Sequence, residues 1–271
     1  MMPIAMTVLG AAAVAGLAAD FTLLVDDREI VAQGSASDFS GFDFSSDDLL
    51  PDLPFEDWFI GAGGFGAVKS ADGSGSSSQN STISTTALLA DGNSSASAFS
   101  DGEGYGLGFA YSRFGVRFSV AETARVRVQA QLDASGEARA WVRLFNGDND
   151  RLVDEDAADS PRDLDFTRAL PPGDYTFQLR NDATAVFNYE PGSSSASASY
   201  DGSLTLAPGC NGADTAAPEG VLDLADVQAF ITAFTSANPL ESGNADLANP
   251  SDILDLADIQ AFVTLFTAGC P

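Results

Sequence analysis

Apolar residues Ala124, Val126, Val128, Ala130 and Leu132 alternate strictly with Arg125, Arg127, Gln129 and Gln131, the pattern of a strand buried on one face. A turn is predicted at 133–137, with Gly136 placed for a positive φ. The chain then returns with Ala138, Ala140, Val142 and Leu144 facing inward. Read as one hairpin, this sets Arg127 opposite Arg143 and Gln129 opposite Trp141 on the outer side. Pro171, Pro172 and Gly173 punctuate before a strand whose inner face is Tyr175, Phe177 and Leu179. Segments 113–120, 183–189 and 200–206 add strands, and 21–25 with 29–31 read as a short pair around Asp26, Asp27 and Arg28. Segment 36–54, rich in Ser, Asp, Gly and Phe, reads as loop. The Gly/Ser runs 70–79 and 193–199 read as polar edge strands and loops, and the composition of 36–80 also admits disorder. Helical periodicity is nearly absent from 21 to 208. Many short strands with turn signals between them predict a mainly β fold, a jelly-roll-like β-sandwich.

Beyond 208 the period changes. Val227, Phe230, Ile231 and Phe234 fall on one helical face at i, i+3, i+4 and i+7, and Ile259, Phe262, Val263 and Phe266 repeat the pattern. Residues 214–239 recur almost position for position at 246–271, each copy an acidic loop running into a short amphipathic helix. Two such faces packed together predict a two-helix module with near-twofold symmetry. Asp226 and Asp258 stand where helices begin, and capping without any metal accounts for them most plainly. Calcium chemistry is the alternative, because calcium takes six to eight hard oxygens and a short loop can supply several. Leu222 sits where an EF-hand-type loop buries its central apolar residue, Asp223 takes the ninth position and Asp226 the twelfth. Gly220 holds the sharp turn. Leu254, Asp255 and Asp258 repeat this frame, with Asp252 at the turn.

Composition narrows the chemistry. The formal charge is −27, from 39 acidic and 12 basic side chains. Such a surface repels nucleic acid and anionic membranes. Histidine is absent, which removes the commonest general base and transition-metal ligand together. The apolar opening run, 1–19, ends in small residues before Asp20, as a secretory signal peptide does, with a buried helix as the other reading. It is at most barely long enough to span a bilayer. Cys210 and Cys270, the two cysteines, bracket the duplicated segment and should pair in an exported protein, stabilising it by roughly 4 kcal/mol.

On its duplication, its aspartate spacing and its frame of Gly209-Cys210 and Gly269-Cys270-Pro271, segment 209–271 resembles a dockerin. That family's duplicated calcium-loop-and-helix domain attaches secreted bacterial proteins to cohesin domains. The resemblance covers about a quarter of the chain. It implies calcium as cofactor, a cohesin-like or other surface protein as partner, and Asp214, Glu219, Asp223, Asp226, Asp246, Asn249, Asp255 and Asp258 as ligands. Three departures stand out. Each loop carries an extra residue near Pro218 or Pro250, so the first ligand shifts to Asp214 or Asp246. Middle ligand positions hold Ala217, Glu219, Asn249 and Ser251. The family's recognition positions hold Leu224-Ala225 and Leu256-Ala257, and 209–271 contains no Lys or Arg.

Within the sandwich, 113–143 holds six of the twelve basic residues against three acidic ones. Arg125, Arg127, Arg139, Trp141 and Arg143 define a candidate face for an acidic glycan, with Trp141 as a stacking platform. The plainer account has these arginines meet acids of the same chain, such as Asp47, Asp48, Asp52, Glu56 or Asp57. Asp148, Asp150, Asp154 and Asp156 form either a solvated acidic loop or a structural calcium loop. The expected whole is a secreted or cell-surface, non-catalytic protein: a signal peptide at 1–19, an acidic sandwich at 20–207 and a dockerin-like module at 208–271. The alternative is an accessory protein that binds carbohydrate or assists polysaccharide degradation.

Overall fold

The computed structural model describes residues 20–51, 53–158, 160–207, 211–216, 221–236, 245–248 and 253–269. Its strands are β1 (Thr22–Asp26), β2 (Glu29–Asp38), β3 (Gly41–Leu49), β4 (Trp58–Val68), β5 (Ala71–Ile83), β6 (Ala87–Asp101), β7 (Gly104–Val120), β8 (Ala124–Ser135), β9 (Ala138–Asn146), β10 (Arg151–Ala157), β11 (Arg162–Leu170), β12 (Gly173–Asn188) and β13 (Pro191–Leu206). Two helices follow, α1 (Leu224–Thr235) and α2 (Leu256–Ala268). The strands form two facing antiparallel sheets. One runs β10-β9-β12-β7-β2-β3, with β1 also on β7, and the other runs β11-β8-β13-β6-β5-β4. The fold is a mainly β, jelly-roll-like sandwich, as the alternation predicts.

Three local expectations fail. The pair predicted at 21–31 does not form: β1 lies on 116–119 and β2 on 104–113, both along β7. The break falls at Arg28, which is 1% exposed. Its guanidinium grips the Asp26 carboxylate at 2.6 and 2.8 Å and donates to Glu56 O at 2.7 Å and Ser81 Oγ at 2.9 Å. Segment 36–54 is largely β2 and β3, and the Gly/Ser runs lie in β5 and β13, strands with a partner on either side. The predicted hairpin 124–145 is an arch between sheets: β8 pairs with β11 and β13, whereas β9 pairs with β10 and β12. Gly136, with φ +72°, makes that crossing, and a Cβ there would lie 2.4 Å from Ser195 O.

Two materials fill the sandwich. One part is aromatic and aliphatic, with Phe114, Phe118, Tyr175, Phe177, Val126, Val128, Leu144 and Leu204 all buried in one cluster. Each such side chain contributes about 1.5–3 kcal/mol relative to exposure. In the other part the sheets meet backbone to backbone. A Cβ on Gly75 would lie 2.1 Å from Phe109 O, and one on Gly108 2.1 Å from Ser74 O. Between the two lies a buried polar layer. Ser112 Oγ donates to Gln79 Oε1 at 3.0 Å, and Tyr200 OH to the same oxygen at 3.2 Å. Asn181 accepts from Ser94 Oγ at 2.5 Å and Ser112 N at 3.1 Å, and donates to Gly92 O at 2.8 Å. Burial pushes the Tyr200 phenol well above its usual pKa. Every partner in this layer is supplied from within, as a low-dielectric interior requires.

Candidate functional site

The C-terminal helices start where aspartate stops the preceding loop. Asp223 accepts from Ala225 N at 2.6 Å and Asp255 from Ala257 N at 2.6 Å, each an N-cap. Three residues on, Asp226 and Asp258 complete the reciprocal capping box. Each also reaches back to the start of its own loop. Asp226 Oδ1 accepts from Thr215 N at 2.7 Å and Ala216 N at 2.8 Å, while Oδ2 accepts from Asp223 N at 2.8 Å. Asp258 does the same with Leu247 N at 2.8 Å, Ala248 N at 2.9 Å and Asp255 N at 2.8 Å. The duplication seen in sequence is therefore a duplication of hydrogen bonds.

Phe230 and Phe262 stack at 4.1 Å between centroids and form the module's buried centre with Ala233, Ala213, Ala245 and Leu247. Ile231 and Val263, expected on that inner face, are 54% and 52% exposed. Two short helices against two loops cover only a narrow stripe, and the residue next to each central Phe falls outside it. Leu224 and Leu256 are 69% and 65% exposed, Val221 and Ile253 51% and 54%. Solvent thus meets the same apolar positions in both copies.

Four of the proposed calcium ligands serve the backbone. Calcium needs a convergent cage of oxygens, yet Asp226 and Asp258 turn both oxygens onto backbone N–H groups, and Asp223 and Asp255 spend Oδ1 on caps. Among the described residues no three carboxylates converge as a metal group. Glu219, Asn249, Cys210 and Cys270 lie outside the described residues, as does 1–19, so the proposed middle ligands, disulfide and signal peptide are not placed.

Asp214 and Asp246, the proposed first ligands, are 0% and 2% exposed. Both meet arginines from the sandwich. Arg125, on β8, donates through Nη1 to the backbone oxygen of Asp214. Arg168, on β11 and 2% exposed, places Nη2 3.7 Å from Asp246 Oδ2 and donates through Nη1 to Leu152 O at 2.9 Å. Ala169 joins the module's apolar cluster, and Thr123 Oγ1 donates to Leu247 O at 3.4 Å. Sequence reasoning missed Arg168. Its signal was a cation at an inward position beside Ala169 and Leu170.

The five-residue glycan face does not exist as one surface. Arg125 and Arg127 belong to one sheet, Arg139, Trp141 and Arg143 to the other. Alternation shows which side of a strand is buried, not which sheet it joins, so a hairpin and an arch look alike. These arginines do meet acids of the same chain, but on neighbouring strands and not at the places expected. Arg127 grips Asp165 at 2.6 and 2.7 Å. Its hydrogen bond and charge hold the Asp165 carboxyl below its usual pKa. Arg143 donates to Asp154 at 2.7 Å and lies 4.2 Å from the Trp141 ring centre. Partial burial acts to raise the Asp154 pKa, but Arg143 and Arg151 outweigh it and hold the group low. Arg139 lies opposite Asp182 on β12. In the acidic loop, Asp150 accepts from Asn146 Nδ2 at 3.1 Å, while Asp154 faces these arginines. A shallow polar groove of about 320 Å³ is lined by Ser76, Ser78, Asn93, Ser95, Asp133 and Ser197, and another of about 400 Å³ by Gln129, Gln131, Asp163, Asp165, Asp201 and Ser203.

No family model matches the chain, and no curated protein does. Among solved structures, that of infectious bursal disease virus Gx strain aligns at 10% identity and a TM-score of 0.22, over 72% of this chain and 57% of that one. A GH31 alpha-xylosidase from Xanthomonas citri aligns at 9% identity and a TM-score of 0.19, over 69% of this chain and 32% of that one. The chain spans less than two thirds of either structure. Likenesses this slight carry no functional argument.

Proposed function

We propose that this chain is an exported, non-catalytic attachment protein, whose C-terminal paired-helix module joins the β-sandwich to a cohesin-like protein at the cell surface. The observation that supports this is a set of exposed apolar residues at equivalent positions of the two copies: Val221, Leu224 and Ile231 from one, Ile253, Leu256 and Val263 from the other. Large apolar residues left exposed together mark interaction surfaces. Leu224 and Leu256 fall on the early helix positions through which the resembled family reads its partner, and the set holds no basic side chain. The partner that suits it offers an apolar centre, with positive charge around the rim to meet an acidic chain. Paired EF-hand-like geometry belongs to this reading, with calcium in the loops as the resemblance implies.

The test is titration of the full chain against isolated cohesin-type domains, beside a Leu224→Ser/Leu256→Ser variant. Binding by the native chain, weakened about tenfold or more in the variant, is the expected result. A folded chain that binds none of them, or a variant that binds as well as the native chain, would sink the reading. A second reading, glycan recognition by the sandwich, is favoured by the Ser- and Asn-lined groove alone. It lacks an aromatic platform, since Trp141 lies on the other sheet. Soluble polysaccharides in the same titration decide it.

A further inference from the structure

We infer that Arg125 and Arg168 fasten the two C-terminal loops to the sandwich, and that this docking holds without calcium. Segment 209–271 holds no Lys, Arg or His. Asp214 and Asp246 are nonetheless fully or almost fully buried. The sandwich presents one guanidinium to each loop: Arg125 donates to the Asp214 backbone oxygen, and Arg168 Nη2 lies 3.7 Å from the Asp246 carboxylate, where a buried charge needs a partner.

The two contacts fall at equivalent loop positions but differ in chemistry. β8 and the edge strand β11 are neighbouring antiparallel strands, with Arg125 opposite Ala169 and Arg168 opposite Val126. Successive strand residues face opposite sides, so Arg168 leaves the sheet on its inner side and Arg125 on its outer side. Arg125 meets the backbone oxygen of Asp214, and Arg168 the carboxylate of Asp246. Ala169 lies between module and sheet within the module's apolar cluster. A Cβ on Gly212 would lie 2.9 Å from the Thr123 methyl, so the loop there sits directly on the sandwich. Arginine suits this position because its guanidinium is always charged and its planar fork serves a carboxylate and a carbonyl together. Arg168 does so, with Asp246 on one side and Leu152 O on the other. The inference concerns how the module is held and not what it binds, so it and the attachment reading can fail separately.

The test is hydrogen exchange on the full chain, read at the Thr215, Leu247 and Ala248 amides, with excess chelator and then with calcium. In the native chain these amides should be protected in chelator and unchanged by calcium. In an Arg125→Gln/Arg168→Gln variant their protection should fall about tenfold or more, while the amides of β7 and β12 keep theirs. An Arg127→Gln/Arg143→Gln control, altering outer-face arginines alone, should leave the module unchanged. If the first variant loses protection throughout, Asp214→Asn/Asp246→Asn is read in the same way. Two outcomes would overturn the inference. One is a native module unprotected in chelator that gains protection with two equivalents of calcium. The other is a module whose protection survives removal of both arginines.

Discussion

Asp226→Asn separates a capping aspartate from a metal ligand while leaving shape almost untouched. Three backbone donors converge on the native carboxylate, Thr215 N and Ala216 N on one oxygen and Asp223 N on the other, all within 2.8 Å. The side chain is wholly buried. Asparagine retains one acceptor, so it can serve the Thr215 and Ala216 pair or Asp223, and its amide nitrogen must then face a donor. Charge assistance is lost from the surviving bonds, and one buried N–H is left without a partner. With charged hydrogen bonds contributing about 1.5–3 kcal/mol and an orphaned buried donor costing about 1–3 kcal/mol, the module should lose about 2–4 kcal/mol. In exchange terms this is roughly a thirtyfold to several-hundredfold loss of protection at Thr215, Ala216 and Asp223. The measurement is made on the full chain in excess chelator, and Asp258→Asn should reproduce it at Leu247, Ala248 and Asp255. If both variants match the native chain in chelator and differ from it only when calcium is present, the aspartates are ligands and the capping argument is refuted.

Gly75→Ala should lower thermal stability by about 1–3 kcal/mol through overpacking, because its Cβ would meet Phe109 O at 2.1 Å. Gly63→Ala, with nothing within 4 Å, should be neutral or slightly stabilising, so equal melting temperatures for the two would contradict the close sheet contact. Tyr200→Phe should destabilise the sandwich by about 1–3 kcal/mol in denaturant titration, since it removes a buried hydroxyl shared with Ser112 and Gln79. Asp38 accepts from Ser40 and Gly41 in its own turn and from Ser70 in the β4–β5 turn, which holds its pKa down at about 2. Its contribution to stability is present above the unfolded value of about 4 and lost as pH falls through about 2. A carboxyl carbon titration by NMR with its midpoint near 4 would show those bonds to be absent.

Strand faces were legible from the sequence, and strand partners were not. Ala124 to Leu132 and Ala138 to Leu144 point inward as the alternation requires, but the same alternation serves either one sheet or two opposed sheets. The polar strands were hidden for a different reason. Gly73, Gly75 and their neighbours have little intrinsic strand preference, and what fixes them is the backbone ladder and the close approach of the opposite sheet. In the module, duplication and period revealed the helices, and aspartate position revealed the caps. Burial of Asp214 and Asp246 could not be seen, because the strands they pack against stand far upstream in the chain.

The central place of β13 sets the order in which this molecule can form. β13 lies between β6 and β8, pairing Leu204 with both Leu88 and Val128, and so holds the two halves of its sheet together. A chain ending before 191 has every other strand of that sheet but no continuous ladder through it. The sheet therefore closes only when the last strand arrives, and contacts of such long sequence separation make folding slow. Until then, long strands with open edges are exposed. The strong negative charge of the chain helps to keep those edges apart by mutual repulsion. Completion of the fold is one late event, made by the strand that leads into the C-terminal module.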